Sequence, residues 1–265
     1  MYAGGSGGNA VKVLATYNIK GGVGKTATAV NLAYLAAREG TPTLVWDLDP
    51  QGAASFYFRI KPRIKGGGKR LVSGKRELED CIRGTDYEGL DLLPADFSYR
   101  NMDLFLEHSK KPAQRLQQLL EPLAGEYDYV FLDCPPSISL VSENVFYAAD
   151  AVLVPTIPTP LSLRTFRQIR KFLAARDLAS LRVLPFFAMA DRRKQLHRAI
   201  VDNPPDYLTG LLRTSIPYTS EVERMGVFRA PLGSFAGRSW AAQCYENLWD
   251  DVKQQLHGPG GCLPA

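Results

Sequence analysis

A chain of 265 residues, 45% hydrophobic and 22% charged, has material for a full core in one large α/β domain or two small ones. No run approaches ~20 uninterrupted apolar residues, which excludes a transmembrane helix, and the opening MYAGGSGGNA lacks the basic and apolar regions of a leader. The net charge of +5 permits an anionic partner without establishing one, and four cysteines (Cys81, Cys134, Cys244, Cys262) with no CxxC spacing argue against a zinc site or a disulfide framework and for a reducing cytosol.

Residues 1–10 read as a short flexible tail. Val11–Tyr17 is an apolar, β-branched strand, and Ala27–Arg38 reads as a helix stopped by Glu39-Gly40. Between them lies YNIKGGVGKTAT, Tyr17–Thr28. A glycine-rich turn between a strand and a helix is a phosphate cradle. Gly21, Gly22 and Gly24 let the backbone curl so that N–H groups point inward, and the helix N-terminus adds positive charge. Lys25 is placed to reach β- and γ-phosphates, and the Thr26 hydroxyl to ligate Mg²⁺. The general P-loop pattern asks for a glycine where Ile19 stands; here a second lysine, Lys20, opens the run Lys20-Gly21-Gly22-Val23-Gly24-Lys25-Thr26.

Thr43–Trp46 is a second buried strand, ending in Asp47-Leu48-Asp49-Pro50-Gln51-Gly52. Arg59–Arg76 carries eight basic residues and no acidic one, broken by Gly66-Gly67-Gly68; it reads as a mobile basic loop able to touch DNA phosphates or a partner protein. Glu77–Ile82 is a short helix, Leu90–Leu93 a strand, and Met102–His108 and Ala113–Leu123 are helices, the latter with Leu116, Leu119, Leu120 and Leu123 on one face. Tyr127–Asp133 is a buried strand that delivers Asp133 to its C-terminal end, ahead of Cys134-Pro135-Pro136-Ser137.

Ser142–Ala149 is a helix and Ala151–Pro155 a strand. In the amphipathic helix Leu161–Arg176, Leu163, Phe166, Ile169 and Leu173 face inward, and Arg164, Arg167, Arg170 and Lys171 are spread over the rest. Val183–Ala188 is a core strand. A basic, partly helical stretch with Arg192, Arg193, Lys194 and Arg198 follows, then a late strand at Leu211–Ile216. The last helix, Ser239–Leu256, lines up Trp240, Cys244, Leu248, Val252 and Leu256. Its polar face is acidic, so it reads as packing on the sheet rather than on a membrane. Residues 257–265 read as a tail. With no repeat and no linker, 11–256 is one domain, a doubly wound, mostly parallel sheet with helices on both faces.

Three segments, Lys20–Thr26, Asp47–Gly52 and the Asp133 strand with its D-x-P-P-S continuation, resemble the deviant Walker A motif, the DxDPQG turn and the Walker B strand of the ParA/MinD ATPases, in the family's order. The resemblance covers roughly Val11 to Leu256 and is weak over Arg59–Met102 and after Pro217. It implies that Lys20 crosses a dimer interface to the partner's nucleotide, that Asp49 orients the attacking water, and that Asp47 and Asp133 join Thr26 around magnesium. Lys20, Gly21, Gly22, Val23, Gly24, Lys25, Thr26 and Ala27 would surround the phosphates; Ala27 stands where many members have a second threonine. Asp191 and Pro217 lie where the family places residues near the adenine. No N-K-x-D sequence is present, which favours ATP over GTP.

The function this implies is an ATP-dependent dimerisation switch, cytoplasmic and nucleoid-associated. It binds non-specific DNA and hydrolyses ATP slowly, under stimulation by a ParB-like or cargo-adaptor protein, to segregate DNA or position a cargo. Arg164, Arg167, Arg170, Lys171, Arg192, Arg193, Lys194 and Arg198 are the available phosphate contacts. The ten residues before the first strand leave no room for a helix-turn-helix domain. A membrane-associated MinD-like ATPase and a small-molecule phosphotransferase share the motifs and are the alternatives; an iron protein would need paired cluster cysteines that have no context here.

Overall fold

The computed structural model describes residues 11–257. The segments read as tails, 1–10 and 257–265, lie outside the described residues except for His257, which ends the last helix. Seven strands form one sheet: β1 (Lys12–Thr16), β2 (Thr43–Asp47), β3 (Arg83–Gly84), β4 (Leu90–Leu93), β5 (Tyr129–Asp133), β6 (Ala151–Thr156) and β7 (Arg182–Phe187), in the order β3-β4-β2-β5-β1-β6-β7. All pairs are parallel except the short edge strand β3 on β4.

The helices are α1 (Lys25–Arg38), α2 (Ala53–Tyr57), α3 (Gly67–Val72), α4 (Met102–Glu107), α5 (Arg115–Leu120), α6 (Leu140–Ala148), α7 (Pro160–Ala174), α8 (Gln195–Asp202), α9 (Ser220–Glu223), α10 (Met225–Phe228), α11 (Leu232–Ala236) and α12 (Trp240–His257). They cover both faces. On one side α3 to α7 bury Leu71, Met102, Leu116, Phe146 and Phe166 against Trp46, Val130 and Val152. On the other, α1, α11 and α12 bury Val30, Leu232, Leu248 and Trp249 against Leu14, Phe131 and Leu153. Every residue of β2, β5 and β6 is buried. That is why these strands are continuous apolar runs rather than alternating ones.

The sheet winds outward in both directions from its centre. β1 crosses through α1 to β2 on one side, and β5 crosses through α6, over β1, to β6 on the other. Register then aligns the strand ends that matter: Thr16 sits opposite Asp133, and Asp133 opposite Asp47, at the C-terminal edge where doubly wound sheets collect ligands.

Three readings need correction. The stretch 59–76 is not a loop. Ile64, Leu71 and Val72 are buried, and Gly68 lets α3 close on Tyr99, where a Cβ would stand 2.7 Å from the ring. Apolar anchors outweigh the charge, because the cations extend into solvent while three side chains reach the core. Leu211–Ile216 runs beside β7 but is not a strand. Leu212 and Ile216 donate to the carbonyls of Pro185 and Phe187, so four residues here span two of β7. Pro185 turns the side without an N–H toward this segment and no ladder forms. Finally, Trp240 is 69% exposed at the start of α12, and burial along that helix begins at Ala241.

The three cysteines among the described residues, Cys81, Cys134 and Cys244, are free and buried. The Gly210 turn gives a stability test. Gly210 has φ +76°, and a Cβ there would lie 2.6 Å from the Val183 carbonyl oxygen. Gly210→Ala is expected to lower unfolding free energy by about 2–4 kcal/mol, combining left-handed strain with a backbone clash. Urea denaturation measures it.

Candidate active site

After Thr16 the chain turns tightly into α1. Gly22 and Gly24 take φ of +69° and +95°, a region that side-chain-bearing residues avoid. A Cβ on Gly21, Gly22 or Gly24 would meet nothing within 4 Å, so the space over the loop is open. The first turn of α1 contains no acidic residue, and its free N–H groups face that space with the positive end of the helix dipole. Asn18 holds the loop entrance: its amide donates to the Pro155 carbonyl at 2.9 Å, and its carbonyl oxygen accepts from the Lys20 N–H at 2.9 Å.

The two lysines differ. Lys25 is 7% exposed and lines the cleft, and its ammonium donates to the Lys20 carbonyl at 3.3 Å. Burial lowers its pKa, while the Asp133 and Asp49 carboxylates pull it back. Lys20 is half-buried and does not line the cleft. Its ammonium has no hydrogen bond or ion pair among the described residues.

Asp47 and Asp133 stand side by side at the ends of β2 and β5, both fully buried. Asp47 Oδ2 accepts from the Ser55 N–H (2.8 Å) and hydroxyl (2.7 Å). The first turn of α2 thus holds this carboxylate. Asp133 Oδ1 accepts from the Thr16 hydroxyl at 3.4 Å. The second oxygen of each, Asp47 Oδ1 and Asp133 Oδ2, is buried without a partner. Burial raises both pKa values, and each carboxylate raises or is raised by its acidic neighbours. The Thr26 hydroxyl and the Lys25 ammonium oppose the rise at Asp133. Two orphaned carboxylate oxygens beside a threonine hydroxyl are hard oxygen donors and fit Mg²⁺. No group of three or more Asp, Glu, His or Cys side chains is arranged to hold a metal ion among the described residues, so phosphate and water would complete the shell. Asp49 is half-buried on the cleft wall, with Oδ1 accepting from the Gln51 N–H at 2.9 Å.

This pair predicts a trade between stability and function. A carboxyl whose pKa rises from 3.8 to about 6 on folding, as at Asp47, binds more protons folded than unfolded across that window. The nucleotide-free protein should therefore lose stability as pH rises from about 4 through about 6, and the raised Asp133 carboxyl adds a loss in the same direction. Asp133→Asn should raise its unfolding free energy by about 1–2 kcal/mol while removing ATP turnover. Thermal melts across pH, with and without Mg²⁺ and nucleotide, check both.

Beyond the phosphate end the cleft, about 430 Å³, is walled by Tyr57, Met189, Ile216, Pro217, Val222 and Tyr245. These apolar and aromatic groups suit a purine face. Pro217 is in place. Asp191 is not: its carboxylate is turned onto Arg193 (2.8 and 3.0 Å), which holds its pKa down to about 2, and its N–H donates to His197. Tyr57 and Tyr245, on α2 and α12, carry no local motif and were not legible.

The eight basic candidates fall into two groups. Arg164, Arg167 and Lys171 line one shallow recess on α7 with Gln168, and Arg170 is half-buried beside them. Arg192, Arg193, Lys194 and Arg198 are exposed around the start of α8, though Arg193 and Lys194 share the charge of Asp191. Arg167 lies 4.9 Å over the ring of Tyr207, which follows α8, so the chain after α8 meets α7.

The chain matches a family model described as an AAA domain over residues 11–179. It is 30% identical over 250 residues to the sporulation initiation inhibitor protein Soj of Bacillus subtilis (strain 168), covering 91% of this chain and 98% of Soj. Among solved structures it is similar to cobyrinic acid a,c-diamide synthase of Mycobacterium smegmatis with bound ADP and magnesium (TM-score 0.78, 26% identity, 92% of this chain and 95% of that one). It shares its fold with McdA of Cyanothece in complex with ATP (TM-score 0.80, 19% identity, 93% and 98%). With the second lysine at the loop entrance, the paired aspartates at the strand ends and a likeness that runs the length of Soj, the chain belongs to the ParA/MinD-type deviant Walker A ATPases.

Proposed function

We propose that this protein is an ATP-driven dimerisation switch of the partition type, acting on non-specific DNA. The observation that carries the reading is Lys20: a half-buried cation at the mouth of a phosphate cradle, outside its own cleft and without a partner in its own chain among the described residues. A second protomer's triphosphate is a counter-charge it is free to reach.

The loop N–H groups, the start of α1 and Lys25 would hold the phosphates. Thr26, Asp133 and, from the Ser55-anchored side, Asp47 would hold Mg²⁺, directly or through water. Bound MgATP supplies the cleavable phosphoanhydride and the metal charge that polarises it. Asp49 positions the water, and two lysines beside the γ-phosphate neutralise charge that grows in the transition state. Loss of that phosphate removes what Lys20 grips, and the dimer loosens. Intrinsic turnover is slow, and a ParB-like or cargo-adaptor partner accelerates it. The α7 and α8 cations give salt-sensitive, sequence-independent DNA affinity, doubled in number by dimerisation, which places the protein on the nucleoid in the cytoplasm.

Binding to a random duplex with ATP, ADP or no nucleotide tests this. ATP should tighten binding at least tenfold over ADP, and Arg164→Ala with Arg167→Ala should remove that increment. An affinity indifferent to nucleotide would sink the proposal.

A second reading rests on the likeness to the M. smegmatis synthase: an ATP-dependent enzyme activating a small acid. It predicts substantial turnover with a small acceptor and no response to DNA. The membrane alternative has less support, since the polar face of α12 is acidic.

A further inference from the structure

The stretch Arg59–Arg76 takes no part in the cleft, yet it gathers eight cations and no acid in 18 residues. Of its eight cations, Arg59 pairs with Asp86 and Arg76 with Asp80. The other six, Lys61, Arg63, Lys65, Lys69, Arg70 and Lys75, are all exposed, and none makes a side-chain hydrogen bond or ion pair among the described residues. Of the acids that follow, Glu77, Glu79 and Asp80, none pairs with these six cations, and Asp80 is engaged by Arg76.

These charges are held in place. The Ile64 N–H donates to Asp96 and the Gly68 N–H to the Ser98 hydroxyl, each at 2.8 Å, and Arg115 donates to the Val72 carbonyl at 2.7 Å. Arg70 folds back along Gly66, where a Cβ would stand 2.6 Å from its Cδ, and so lies beside Lys65. α3 rests on the Phe97–Asn101 turn, which adds another free cation: Arg100 lies 4.2 Å over the ring of Phe97, itself 64% exposed. Fixing like charges together on a folded segment costs self-repulsion that a bound polyanion relieves.

We propose that α3, the segment leading into it and the Phe97–Arg100 turn form a second surface for duplex nucleic acid. It grips the phosphate backbone and is complete in one protomer without nucleotide. Evenly spaced phosphates ask only for cations within reach. A folded acidic protein would want a buried apolar centre, and Phe97 alone offers one. Unlike the α7 and α8 surface, this one does not depend on the switch proposed above.

The test uses the purified full chain and a fluorescent random duplex, by anisotropy, at several salt concentrations. The variants are Lys65→Gln/Lys69→Gln/Arg70→Gln and, separately, Arg164→Ala/Arg167→Ala. Circular dichroism and thermal melts confirm that each folds. Without nucleotide the parent should bind at low salt, and the α3 variant should bind about tenfold or more weakly. Its slope of log K against log salt should flatten by about 0.9 for each phosphate it no longer neutralises. The Arg164/Arg167 variant should keep this binding and lose only the ATP-dependent increment, so the two proposals fail separately. Equal affinity and slope for parent and α3 variant without nucleotide would overturn the inference. So would a poly-glutamate peptide that binds this surface more tightly than DNA does.

Discussion

Replacing Lys25 by alanine should lower kcat/KM for ATP hydrolysis by about 10³-fold or more and weaken nucleotide binding. Lys25 is the buried cation of the site, set against the carboxylates of Asp133 and Asp49. Its removal has two effects that reinforce each other. The phosphates lose their nearest counter-charge, and Asp133 loses one of the two groups that oppose the rise of its pKa. A carboxyl more inclined to stay protonated is a poorer magnesium ligand. The fold itself should be unharmed, because burial already disfavours the charged amine and its one hydrogen bond, to the Lys20 carbonyl, is long at 3.3 Å. Phosphate release and nucleotide titration, read beside an unchanged or slightly higher Tm, check the prediction.

Lys20→Ala should give a different phenotype at the neighbouring position. ATP affinity should stay within about threefold of the parent, while the ATP-dependent dimer is lost and turnover falls about 10²-fold or more. The loop does not need this side chain. The Lys20 N–H is held by Asn18 and its carbonyl by Lys25, both main-chain contacts that alanine preserves. The ammonium has no partner within the protomer among the described residues. Nucleotide titration and light scattering with ATP separate the two lysines: one governs binding, the other association.

The fold was legible because buried parallel strands announce themselves as unbroken apolar runs. The Val11, Thr43, Tyr127, Ala151 and Val183 segments all proved to be such strands. The phosphate end of the site was legible for a related reason: the loop and the aspartates sit at the ends of those strands, and register alone brings Thr16, Asp133 and Asp47 together.

The base end was not legible in the same way. Tyr57 and Tyr245 reach the cleft from α2 and α12, nearly two hundred residues apart, and only tertiary packing joins them. Asp191 shows how a residue beside the right strand end still misses. The bridge between Ala190 and Pro217 brings the backbone to the cleft, but the next side chain points away, to Arg193 and Lys194. In Arg59–Arg76 the conspicuous cations hid three anchors, Ile64, Leu71 and Val72, whose spacing places Leu71 and Val72 together on one turn.

The central claim is that Lys20 completes its partner's site, and mixing two inactive proteins tests it most directly. Lys20→Ala supplies Lys25 and Asp49 but no crossing lysine; Asp49→Asn supplies the lysine but does not position water. In a mixed dimer one of the two sites regains every group. Equimolar mixing should therefore raise phosphate release well above that of either protein alone, toward a ceiling of about a quarter of the parental rate, which is reached when half the dimers are mixed with one working site each. A mixture no more active than the two proteins measured apart would contradict the account.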